Sequence, residues 1–93
     1  MADVTLRGNL LVVQTPSGEG LKKAILSTLE ELHALMKTGE FEKLPSLFVR
    51  FDGCQIFLLQ LVLKFLEVKF SGPVLKESGE PWPEDLEKEN ETD

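Results

Sequence analysis

Side chains that carry chemistry are scarce in this sequence. It has one cysteine, Cys54, and one histidine, His33. A lone cysteine makes neither an intramolecular disulfide nor a cysteine-rich zinc site, so no metal is expected. No basic cluster interleaved with aromatics is present, which argues against nucleic-acid binding. The longest apolar stretch, Ile56 to Phe70, is broken by Gln60, Lys64, Glu67 and Lys69 and is too short for a bilayer span. Met1-Ala2-Asp3 has neither the basic flank nor the apolar run of a signal peptide, so the expected location is intracellular, cytoplasmic or nuclear. Thr15-Pro16-Ser17-Gly18-Glu19-Gly20 matches neither G-x-x-x-x-G-K-[ST] nor G-x-G-x-x-G, and it reads as a turn rather than a phosphate cradle.

What is present suits one small globular domain. The chain is 93 residues long, 42% hydrophobic and 28% charged. Residues 1–75 carry eight acidic and eight basic side chains and are neutral. Residues 76–93 carry eight acidic side chains against Lys76 and Lys88, which accounts for the whole net charge of −6. The expected organisation is therefore a globular domain over 1–75 followed by an acidic, flexible tail over 76–93. Such a tail repels phosphate, which again disfavours nucleic acid as a partner.

Hydrophobic periodicity predicts an α+β fold. Val4, Leu6, Leu10 and Val12 alternate as on one face of an N-terminal strand, with Gly8 marking a bulge. Leu11 and Val13 break the alternation and suggest that the far half is covered on both sides. Leu21, Ile25, Leu29, Leu32 and Met36 recur at helical spacing, with Ser17 as the cap before them and Gly39 as the left-handed stop after them. Leu47 to Phe51 reads as a short strand entered through Pro45.

The next segment supports two readings. Asp52-Gly53 between apolar runs is a hairpin signal. Asp52-x-x-Gln55 instead resembles a capping box, and Gln60, Lys64, Glu67 and Ser71 then form one narrow polar stripe. The stripe favours a very apolar second helix over residues 54–68, with strand–helix–hairpin as the alternative.

No catalytic residue, metal ligand or cofactor is assigned. His33 flanks an apolar stripe and Cys54 has apolar neighbours, with no local nucleophile–base motif joining them. Glu30-Glu31 and the Glu40/Glu42 pair fall on predicted exposed positions, where a solvated face is the expected role. Two features point to another protein as the partner. The second helix is apolar over most of its circumference, so an uncovered part of it is an interaction surface, with Leu58, Leu61 and Phe65 as contacts. Trp82 and Leu86 lie one turn apart in Pro81-Trp82-Pro83-Glu84-Asp85-Leu86, the minimal pattern of a helix docking in a groove, unless Trp82 folds back on its own domain. The expected function is that of a protein-interaction module, an adaptor or a stable subunit of a larger complex. Self-association into a homo-oligomer is a further option. The competing readings are a small enzyme with a site assembled between subunits, and an inhibitor whose acidic tail occupies a basic groove.

Overall fold

The computed structural model describes residues 3–15, 18 and 20–83. The chain runs β1 (Asp3–Arg7), β2 (Leu10–Gln14), α1 (Leu21–Lys37), a 3-10 turn (Phe41–Lys43), β3 (Leu47–Asp52), α2 (Ile56–Lys69) and β4 (Val74–Lys76). The four strands form one mixed sheet in the order β1-β2-β3-β4. β1 and β2 are antiparallel, while β2–β3 and β3–β4 are parallel pairs. Each parallel pair needs a crossover, and α1 and α2 supply them. This is an α+β domain.

The N-terminal segment is a hairpin, not the single bulged strand its alternation suggests. Gly8 has φ +62 and Asn9 does not share a positive φ, which fits a two-residue type II′ turn. The turn decides which residues share a face. Val4 lies opposite Val13 and Leu6 opposite Leu11, so these four are together, while Leu10 and Val12 are on the other face. The expected grouping of Val4 and Leu6 with Leu10 and Val12 is thereby corrected. Inserting a reversal shifts the period-two pattern by one position and exchanges the faces.

The parallel registers extend the same face through Val49 and Phe51 on β3, and Leu47 aligns it with Val74 on β4. Both helices lie over this face, since α1 packs on β1, α2 on β4, and the helices on each other. The core between the layers contains Val4, Leu11, Val13, Leu47 and Val49 from the sheet, Leu32 from α1, and Leu58, Val62 and Leu66 from α2.

Helix α1 begins where its periodicity predicts, but its deepest line is Ala24, Thr28 and Leu32. Leu21, Ile25, Leu29 and Met36 pack around that line, partly buried. A helix lying directly on a strand needs short side chains at the closest approach, and Ala24 and Thr28 provide them. Gly20 occupies the cap position without a side-chain bond, and Ser17 and Glu19 lie outside the described residues. Gly39 follows the helix with φ +79, as expected.

Thr28 is fully buried, and its hydroxyl has no hydrogen-bond partner among the described residues. Thr28→Val keeps the shape and removes an unpaired polar group, so it is expected to raise stability by about 1 kcal/mol. A urea unfolding curve checks this, and a lower midpoint for the variant would show that the hydroxyl is bonded after all.

The segment after Asp52 forms a helix, α2 over Ile56–Lys69, not the alternative hairpin. The capping box does not form, because Asp52 ends β3, where its carboxylate pairs with Arg50, and Gln55 caps α2 without a side-chain bond. Gly72-Pro73 ends the helical segment as expected, but the chain then enters β4 and continues to pack beyond residue 75. Leu75 bridges Pro81, and the Lys76 amide donates to the Glu80 carbonyl at 2.8 Å. Three residues of β4 carry too little periodicity to be seen in the sequence. Residues 84–93, most of the expected tail, lie outside the described residues.

Candidate functional site

The two helices cover one face of the sheet, so among the described residues the outer side of α2 has no layer above it. Its buried side chains are Leu58, Val62, Leu63 and Leu66. Phe57, Leu61, Lys64 and Val68, spaced by four, three and four, lie on the opposite side of the helix and are exposed. Three of these four are apolar, at 55% exposed for Phe57, 39% for Leu61 and 80% for Val68. Gln60 and Glu67 run along one flank, and Phe65 is partly buried against the core. The expected polar stripe is there, but the outward arc is wider than that stripe and is mostly apolar.

Of the five residues expected to meet a partner, the structure presents Leu61 openly. Leu58 is 1% exposed and packs inside the domain, so its side chain does not reach the surface. It falls on the core side because α2 must bury one arc against the sheet, and the sequence of a nearly all-apolar helix does not say which. Trp82 folds back on its own domain. Its ring meets Phe51 edge to face at a centroid distance of 5.6 Å, and the Lys76 ammonium lies 5.6 Å from the ring centroid. These three residues belong to the helix side of the sheet, with Phe51 lying past the last β3–β4 pair, Val49 with Lys76. Leu86 lies outside the described residues.

The face of the sheet away from the helices is a second apolar area, hidden in the sequence by the misread hairpin. Leu10, Phe48 and Leu75 stand in one row across β2, β3 and β4, with Val12 beside them, and all are half-buried. Arg50 on the same face pairs with Asp52 at 3.2 Å and reaches Glu77 at 3.9 Å. The Gly8-Asn9 pair between apolar runs is the local signal that would have exposed this arrangement.

The carboxyl ends of parallel strands often open into a ligand crevice where helices diverge to opposite faces. Here both helices stay on one face, and the ends of β2 and β3 are laced together. The Thr15 hydroxyl donates to the Gly53 carbonyl at 2.8 Å, and its amide to the Asp52 carbonyl at 3.3 Å. The Cys54 thiol donates to the Val13 carbonyl at 3.5 Å and the Asp52 carbonyl at 3.6 Å. Burial pushes the Cys54 thiol up from its ordinary acidity, with hydrogen bonds from Thr15 opposing the shift. Burial thus disfavours the thiolate, the reactive form of a cysteine. His33 is exposed on α1 and is not among the partners of Cys54.

Comparison with protein families, with characterised proteins and with solved structures returns no match for this chain. Among the described residues no cluster of three or more His, Cys, Asp or Glu side chains is placed to hold a metal ion. No described helix is long and apolar enough to cross a membrane.

Proposed function

We propose that this chain is a protein-interaction module, an adaptor or subunit that docks another protein on the outward stripe of α2. The observation that carries the reading is the exposure of Phe57, Leu61 and Val68 in one line along a well-packed helix. An apolar line on a helix, bordered by Lys64, Gln60 and Glu67, suits a partner that presents an apolar groove with a polar rim. The stripe is favoured over the open sheet face because its side chains stand free, whereas Leu10, Phe48 and Leu75 are already half-covered by their neighbours. Its place of action on this reading is the cytosol or the nucleus.

Affinity purification from source-cell lysate tests the proposal with the full chain, the Phe57→Asp/Leu61→Asp double variant, and a chain ending at Pro83. That end point spares β4 and Trp82, which a cut at residue 75 would damage. The double variant, folded like the wild type by circular dichroism, is expected to lose at least about tenfold in partner recovery, as removal of two central anchors does. The chain ending at Pro83 is expected to keep the partner. Full recovery with the double variant would remove α2 as the docking surface, and loss on shortening alone would move the contact to residues 84–93.

A further inference from the structure

The two edges of the sheet are treated differently. The outer edge of β4 is closed by the chain itself, through the Leu75–Pro81 bridge and the bond from the Lys76 amide to the Glu80 carbonyl. The outer edge of β1 has no strand beside it among the described residues. In a two-residue hairpin the residues flanking the loop, Arg7 and Leu10, form a hydrogen-bonded pair, so Asp3, Thr5 and Arg7 direct their backbone groups toward β2. Val4 and Leu6 direct theirs outward, into the open edge.

We infer that β1 is a self-complementary edge at which a second copy of this chain adds antiparallel, joining two four-stranded sheets across a two-fold axis. The residues of the strand are Asp3-Val4-Thr5-Leu6-Arg7. Placing Thr5 of one copy opposite Thr5 of the other sets Val4 opposite Leu6 and Asp3 opposite Arg7, each twice by symmetry. In this register the outward-facing groups of Val4 and Leu6 form hydrogen-bonded pairs, and the central threonines form the close, non-bonded pair with Cα atoms about 4.5 Å apart. Asp3, Thr5 and Arg7 are exposed and share one face, so the two opposite-charge pairs and the threonine pair line up beside each other. Val4 and the half-buried Leu6 point to the helix side, where the pairing extends the apolar layer. Opposite charges, threonine pairs and branched apolar pairs are the cross-strand combinations that stabilise antiparallel sheets. Shifting the register by two residues in either direction removes Arg7 from Asp3 and leaves part of the strand unpaired.

The charge of the whole chain favours this edge over α2 for self-association. Pro81 and Trp82, just before the acidic residues 84–93 in sequence, lie against β4 and β3. Two copies joined at β1 keep these two attachment points at the far edges of the combined sheet. Two copies joined through α2, which packs on β4, would bring the attachment points together. The inference is thus independent of the α2 docking surface, which stays free for another protein.

Sedimentation equilibrium on the full chain gives the test. The wild type is expected to show a monomer–dimer equilibrium. Asp3→Arg and Arg7→Asp each turn both charge pairs repulsive and are expected to weaken the dimer about tenfold. Mixing these two variants restores attraction at both pairs, so the mixture is expected to dimerise as the wild type does, as is the Asp3→Arg/Arg7→Asp double variant. Both positions are exposed, so the fold is retained. A wild type that stays monomeric at millimolar concentration, or a dimer indifferent to the single variants, overturns the inference. So does a dimer that Phe57→Asp dissociates while the β1 variants leave it intact.

Discussion

Leu58→Asp is expected to unfold the domain, while Leu61→Asp, three residues further along α2, leaves it folded. Leu58 is 1% exposed and sits among Val62, Leu66 and the sheet, whereas Leu61 is 39% exposed. An aspartate at position 58 must either bury a charge with no partner or take up a proton, and either way the packed leucine is lost. The cost is at least about 4 kcal/mol, a large share of the about 5–15 kcal/mol that holds a small domain together. At position 61 the carboxylate points into water, and the loss is within about 0.5 kcal/mol. Circular dichroism with urea unfolding separates the two. The pair also guards the functional test, because loss of a partner by Leu58→Asp would report unfolding, not a lost contact. A Leu58→Asp protein that melts like the wild type would mean that α2 is rotated about its axis from the arrangement described here.

Gly72→Ala is the second large effect, although it adds a single methyl group. A Cβ at position 72 would stand 2.7 Å from the Pro45 carbonyl oxygen and 2.9 Å from Cε2 of Phe70. Neither neighbour yields readily. The Phe70 ring is buried and meets Phe41 edge to face at 6.5 Å, and Pro45 leads into β3, where the Leu47 amide donates to the Pro73 carbonyl at 2.9 Å. The methyl group therefore separates the start of β3 from the start of β4, or else displaces Phe70 from the core. The expected loss is about 3 kcal/mol, in the range of overpacked cores. Urea unfolding measures it, and a loss below about 0.5 kcal/mol would show that the two loops part without strain. The close approach explains why a glycine stands here for a reason beyond ending α2.

Both results bear on what can be read from residues in order. α1 was legible because Leu21, Ile25, Leu29, Leu32 and Met36 repeat at helical spacing over 17 residues. β3 followed from an apolar run entered through Pro45, and the existence of α2 from the helical spacing of Gln60, Lys64, Glu67 and Ser71 ahead of Gly72-Pro73. The hairpin was obscured because Val4, Leu6, Leu10 and Val12 alternate across Gly8-Asn9 as if no reversal intervened. Thr28 escaped notice as a core residue because its composition is polar and its burial depends on how closely α1 approaches β1.

The candidate surface divides in the same way. That α2 is too apolar for one neighbour to satisfy was written in its composition, and so was the concentration of negative charge after residue 75. Which arc of α2 faces the sheet, and hence that Leu58 is core and Phe57, Leu61 and Val68 are surface, was decided only by packing against β4 and α1. A helix with apolar residues on nearly every side has several rotations of similar local energy, and the tertiary contacts choose among them. Trp82 illustrates the same limit, since its sequence neighbours suit a docking helix and only the contact with Phe51 shows where it packs. Sequence by itself determined the class of fold, the long helix and the charge asymmetry, because these are local sums over residues. The faces, the open edge of β1 and the exposed stripe came from the tertiary structure, because each is a relation between segments distant along the chain.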